Sequence, residues 1–321
     1  MSIQFGTFVP QGWRMDLVEI DDPVEQYEAM TAVGKAAEAS GYDSIWVYDH
    51  FHTTPTPEIE SVFEAWTVTA GLARDTQRVH IGQMVTCNGY RNPALLAKIA
   101  STVDVMSHGR AICGLGAGWY EHEWLAYGYG FPATRDRMRA FREAVEIIVR
   151  MWTDEKASFK GEYYSVNGAI NEPKGVQQPH MPLWLGGGGE QVTLKLVAQY
   201  GDGCNVGGGN PEVVRQKLAV LRGHCEALGT DYNRIAHSTN INVVLLEDGA
   251  DPEQASAVYR GKTSLEEYRN GAFVGTAAQL TERIEQLLEA GADYIITYFP
   301  RIAYDHTPLQ RYASEVMPKF K

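Results

Sequence analysis

Asp49 and His50 directly follow the apolar run Ser44 to Tyr48, and His52 stands two residues further on. Imidazole titrates near neutrality, with an unperturbed pKa of about 6.5, so His50 can give or take a proton. Asp49 can orient that ring or accept a ligand N–H. A hydrogen-bonded loop histidine is the plain alternative. His50-x-His52 with Asp49 could also begin a metal cluster, but this needs His, Asp or Lys ligands after later apolar runs, where the chain reads LGGGG, CNVGGG and YFPR. No metal is expected.

A second chemistry lies in Pro182 to Val206. An apolar run to Leu185 is followed by Gly186, Gly187, Gly188 and Gly189, and then by Leu194, Val197 and Ala198 at helical spacing. Glycines leave backbone N–H groups unshielded, and a helix start favours an anion, so Gly187, Gly188 and Gly189 form a candidate phosphate seat. A flexible turn is the competing reading. Gly114-x-Gly116-x-Gly118 is a weak dinucleotide signal, because its last glycine comes too early for GxGxxG. Close approach of a flat ring or phosphate to Gly116, Ala117 and Gly118 accounts for it better. Trp119 and Tyr120 then form either a substrate wall or helix packing. His122 and Gln191, just past their glycine turns, either reach a phosphate or ribityl group or are solvated helix residues.

The elements that must position these residues repeat one unit. Apolar strands are expected at Ile3–Val9, Ser44–Tyr48, Val79–Thr86, Arg110–Leu115, Pro182–Leu185, Gly203–Val206, Ile235–Leu246 and Asp293–Phe299, with helices between them. The helix after the glycine run is expected to begin at once. Strands apolar throughout, in about eight strand–helix units, predict an α/β fold: a (β/α)8 TIM barrel with an insertion between strands 4 and 5, chosen over a doubly wound open sheet. The insertion is residues 156–182, a hairpin and loop, within a single domain spanning 1–321. In such a barrel the site lies at the C-terminal ends of the strands. Those ends include Gln83, Met84 and Thr86.

Composition narrows the function classes. The 321 residues are 44% hydrophobic and 21% charged, with a formal net charge of −12, which argues against nucleic acid and anionic membranes as partners. Neither a leader pattern nor a run long enough to span a bilayer is evident, and a cytoplasmic location is expected. Cys87, Cys113, Cys204 and Cys225 form no CxxC pair and are expected to be reduced.

In chain order, the phrases IQFGTFVPQGW, SIWVYDHFH, GQMVTCNGYRNPALLAKIASTVDVMSHGR, GLGAGWYEHEW, AYGYGFP, PLWLGGGGE and FVGTAAQLTERIEQLLEAGAD resemble the bacterial-luciferase-like family, specifically its actinobacterial F420-dependent oxidoreductases. The resemblance implies F420 as cofactor, with FMN the alternative, and hydride transfer to or from a small organic substrate. FMN monooxygenation and a catalytically silent flavin carrier are the competing functions. It also implies a homodimer, a non-prolyl cis bond at Gln83-Met84 behind the ring with Thr86 beside it, Asp49 at the ring edge, His50 near the reacting carbon, and phosphate on Gly187, Gly188 and Gly189. Two departures count against a sugar phosphate as substrate: Trp119 replaces an acidic residue, and the sixth strand end reads NVGGGN without a lysine. The acidic tail of F420 needs local cations, for which Arg91 and Lys174 are candidates.

Overall fold

Eight parallel strands close on themselves in a computed structural model that describes residues 3–321. In chain order they are β1 (Gln4–Phe8), β2 (Ser44–Val47), β3 (His80–Gln83), β5 (Ala111–Gly116), β8 (Leu183–Gly186), β9 (Gly203–Asn205), β10 (Ala236–Leu246) and β12 (Tyr294–Tyr298). Each pairs in parallel with the next, and β12 returns to β1 with Gln4 opposite Tyr294. This is the expected TIM barrel. The two-residue strand β4 (Thr86–Cys87) extends the line of β3 and pairs with the end of β5. The antiparallel hairpin β6 (Ala157–Lys160) and β7 (Ser165–Ala169) lies between the fourth and fifth barrel strands.

Helices cover the outside: α1 (Pro23–Ala39), α2 (Ala65–Asp75), α3 (Pro93–Met106), α4 (Glu121–Ala126), α5 (Thr134–Thr153), α6 (Thr193–Tyr200) and α7 (Pro211–Leu228). Local chemistry sets their starts. Pro23, Pro93 and Pro211 each open a helix behind an Asp or Asn whose side chain accepts from the first free N–H groups. After the short helices α8 (Pro252–Ala255), α9 (Ala257–Arg260) and α10 (Leu265–Tyr268), the strand β11 (Phe273–Thr276) pairs with the far end of β10. Thr276 and Gln279 then form a capping box for α11 (Ala277–Glu289).

Among the described residues, two apolar cores hold most of the buried side chains. One fills the shell between strands and helices, with Phe5, Ile45, Ile81, Phe141 and Ile148 fully buried. The other fills the barrel interior with Phe8, Trp46, Tyr48, Trp184 and Tyr294; Phe8 stacks on Tyr48 at 4.3 Å, and Trp46 meets Trp184 at 4.9 Å. A plugged interior leaves only the rim of the barrel open to a ligand.

Candidate active site

A cavity of about 850 Å³ opens at the C-terminal ends of the strands. It is lined by Asp49 and His50 after β2, Met84, Val85 and Thr86 after β3, Ala117 to Tyr120 after β5, and Gly186, the last residue of β8, with Gly187 to Gln191 after it. Strands far apart in sequence thus bring most of the expected residues to one place.

His50 is held on two sides. Its Nδ1 lies 2.9 Å from Oε2 of Glu123, and its ring stacks on Trp13 at 4.2 Å with 7° between the planes. Glu123 is fully buried and accepts four hydrogen bonds: from His50, from the Tyr90 hydroxyl at 2.6 Å, and from the N–H groups of Phe51 and His52. That fills the acceptor capacity of a carboxylate. Burial acts to raise the Glu123 pKa, but the hydrogen bonds, led by His50, outweigh it and hold the carboxyl below its ordinary range. An ionised Glu123 therefore fixes a proton on Nδ1 of His50, and Nε2, which has no protein partner among the described residues, is left for the cavity.

Asp49 lines the same wall but is almost wholly committed. Both its oxygens accept from Arg91, at 2.7 and 2.9 Å, and Oδ2 also takes the Cys87 N–H at 2.7 Å. Burial followed by the Asp49 charge pushes the Cys87 thiol up to about 12, so it is no nucleophile at neutral pH.

The glycine run leaves a row of backbone donors open on the cavity wall. Among the described residues, the N–H groups of Gly187, Gly188, Gly189, Glu190 and Gln191 donate to no protein acceptor. Gly187 has φ +114°, open to glycine and strained for other residues. Five free donors on a cavity wall need an acceptor from outside the chain. The helix does not begin at once as expected: α6 starts at Thr193, because residues 190–192 form a turn first, and Val192 provides no side-chain cap. Lys217 of α7, beside Gly188, is the one Lys or Arg lining the cavity among the described residues; its Nζ is 2.7 Å from Oε1 of Glu190.

Several expected placements differ. The non-prolyl cis bond is Met84-Val85, one residue beyond Gln83-Met84. Gln83 is fully buried, donates to Thr69 and does not reach the cavity. The glycines of strand five serve this kink rather than a ligand alone: a Cβ on Gly114 would strike the Gln83 carbonyl, and one on Gly116 would strike Val85. Thr86 lines the cavity, but its hydroxyl accepts from Trp66 at 3.1 Å. His122 is exposed and faces His52 and Tyr120, outside the cavity. Arg91 is locked between Asp49 and Glu64, and Lys174 donates to the carbonyls of Met151 and Asp154, so neither stands free to meet an acidic tail.

Trp13 and Lys217, which line the cavity, and Glu123, which holds His50, were not among the expected residues. Glu123 stands in the first turn of α4 among Glu121 and His122, as a solvated residue would; its one mark is the apolar Trp124 beside it. Trp13 is a bulky aromatic in a glycine loop directly after a strand, and that was the available signal.

A family model described as luciferase-like monooxygenase matches residues 3–270. The chain belongs to this family. The F420-dependent glucose-6-phosphate dehydrogenase of Kineococcus radiotolerans is 35% identical over 221 residues, 67% of this chain and 63% of that enzyme. The chain thus matches less than two thirds of that relative's length. The 5,10-methylenetetrahydromethanopterin reductase of Archaeoglobus fulgidus is 26% identical, across 93% of this chain and 98% of its own. A solved F420-dependent secondary alcohol dehydrogenase, in complex with an F420-acetone adduct, shares the fold at a TM-score of 0.80, covering 100% of both chains at 20% identity.

Proposed function

We propose that this member of the luciferase-like family is an F420-dependent oxidoreductase that passes hydride between the deazaflavin carbon and a small organic substrate. The observation that carries this reading is that His50, with Nδ1 fixed by Glu123, lines the same cavity as five unsatisfied N–H groups of the glycine run. The relatives named for F420 support the choice of cofactor.

The residues present fit such a group. Gly187, Gly188, Gly189 and Gln191 offer their N–H groups to its phosphate, with Lys217 at the edge. Met84, Val85, Thr86, Ala117 and Gly118 line the wall that would hold its ring. Bound there, F420 supplies a two-electron hydride donor or acceptor. The protein's own part is proton handling and orientation: Nε2 of His50 takes a proton from, or returns it to, a substrate oxygen, while the buried Glu123 stabilises the imidazolium that forms. Asp49 acts indirectly, by holding Arg91 and the Cys87 N–H beneath the site. Trp119 and Tyr120 cover the substrate side.

We further propose a homodimer, as the family resemblance implies, and a cytoplasmic location, for which the four buried free cysteines speak. No described helix is long and apolar enough to cross a membrane. The function is tested by titrating F420 and then following its reduction or oxidation with a panel of alcohols and ketones. Tight binding without exchange of hydride with any of them would leave a carrier, not an enzyme.

A further inference from the structure

A second polar pole stands across the barrel mouth from the glycine run. The loop after β1 is four strands from β8 in either direction around the closed sheet, and it carries Trp13 and Arg14. The Arg14 guanidinium reaches over Tyr298 of β12, 4.3 Å from the ring centre, and donates to Oδ1 of Asn242 on β10 at 3.1 Å. It also packs on Trp13 and Tyr48, at 5.4 and 5.6 Å, and both of these line the cavity.

What this pole lacks is an acceptor. Arg14 forms no ion pair among the described residues; Asp16 in the same loop turns Oδ1 to the Gly12 N–H instead, at 2.7 Å. The Trp13 indole is 9% exposed, and its Nε1–H meets no acceptor among the described residues. Asn205 donates to Oδ1 of Asn240 at 2.9 Å, which leaves the Nδ2–H groups of Asn240 open on the cavity lining. A guanidinium, an indole N–H and an amide N–H along one wall suit an anion, and Arg holds a carboxylate with paired N–H donors. One cation balances one charge, so a carboxylate fits here better than a doubly charged phosphate.

Resting on the F420 reading above, we infer that the substrate carries a carboxylate, seated on Arg14 with Trp13 Nε1 and Asn240 Nδ2 as flanking donors, while its reacting carbon lies at His50. Trp13 joins the two ends: it stacks on the His50 ring at 4.2 Å and touches the Arg14 guanidinium, so one short molecule spans both. Arg14 binds and orients the substrate and takes no part in moving the hydride or the proton.

The test titrates benzoate and benzamide by calorimetry into the full chain, with and without F420, whose own binding is measured first. Benzoate should bind saturably and lose affinity with rising salt, and benzamide should bind at least about tenfold more weakly. Arg14→Met keeps an apolar stem on the three rings and should weaken benzoate about tenfold or more, with Arg14→Lys recovering part of the loss. Asn240→Ala, at a half-buried position, supplies a second variant with a smaller loss. Equal affinity for benzoate and benzamide, or no benzoate binding in protein that holds F420, would overturn the inference. So would unchanged benzoate affinity in folded Arg14→Met, or in Asn240→Ala should Arg14→Met not fold. The acidic tail of F420 is the other source of carboxylate, and F420 stripped of its glutamates separates the two. If Arg14→Met weakens intact F420 but not the stripped form, the site belongs to the cofactor and the substrate assignment falls. Benzoate binding without any F420 binding would instead refute the cofactor reading and leave the carboxylate site standing.

Discussion

Oε2 of Glu123 lies 2.9 Å from Nδ1 of His50, although 73 residues of chain separate them. The carboxylate is buried and saturated with donors, so it decides which nitrogen of His50 carries the proton. Glu123→Gln puts an amide N–H₂ where donors converge. In that variant the Nδ1–H tautomer should no longer dominate, as read by ¹⁵N NMR of the unloaded protein, and turnover should fall roughly tenfold or more. An unchanged tautomer would show that Glu123 is structural only.

The same contact has a pH signature. The folded Glu123 pKa is depressed, so its stabilisation is present above the unfolded value and is lost as pH falls through the lower folded one. Glu123→Gln should cost about 1–3 kcal/mol near neutral pH through unsatisfied donors. Its urea midpoint should also fall less than that of the wild type on acidification below about pH 4.5. Parallel pH profiles for the two proteins would contradict this.

His50 is expected to handle the proton rather than hold the cofactor. His50→Ala should lower turnover by roughly 10²-fold or more while F420 affinity changes much less. Stopped-flow kinetics and a binding titration separate the two effects. A variant with normal turnover would reduce His50 to a packing residue on Trp13.

At the other end of the cavity the glycine run and the Lys217–Glu190 pair make opposite forecasts. Gly188→Asp adds a negative charge beside five free N–H groups and should weaken cofactor binding strongly. Lys217→Met should weaken it moderately and flatten its salt dependence. Glu190→Gln frees Lys217 from its 2.7 Å partner and should tighten binding. Equal dissociation constants for all three variants and the wild type would remove the anion seat.

The barrel could be read from the chain because parallel, doubly covered strands are apolar throughout, as in SIWV of β2, and proline-headed helices separate them. The strand β11 escaped notice: FVGT is short, glycine-containing and preceded by a polar stretch, so its pairing with β10 decides it, not its own pattern. The open backbone donors of the glycine run were legible because they belong to consecutive residues. Glu123 and Lys217 were not, since each owes its role to a partner on another element, and locally both look like solvated helix positions. Arg91 misled for the converse reason. Its charge is plain in the sequence, but Asp49 and Glu64, which consume it, come from other loops.

Side-by-side titration of F420 and FMN decides which cofactor the cavity takes. F420 should bind more tightly than FMN, and bound reduced F420 should stay stable to oxygen until an organic acceptor is added. Tighter FMN binding, with oxygen uptake once NADPH or a partner reductase supplies electrons, would contradict it and make the protein a flavin monooxygenase.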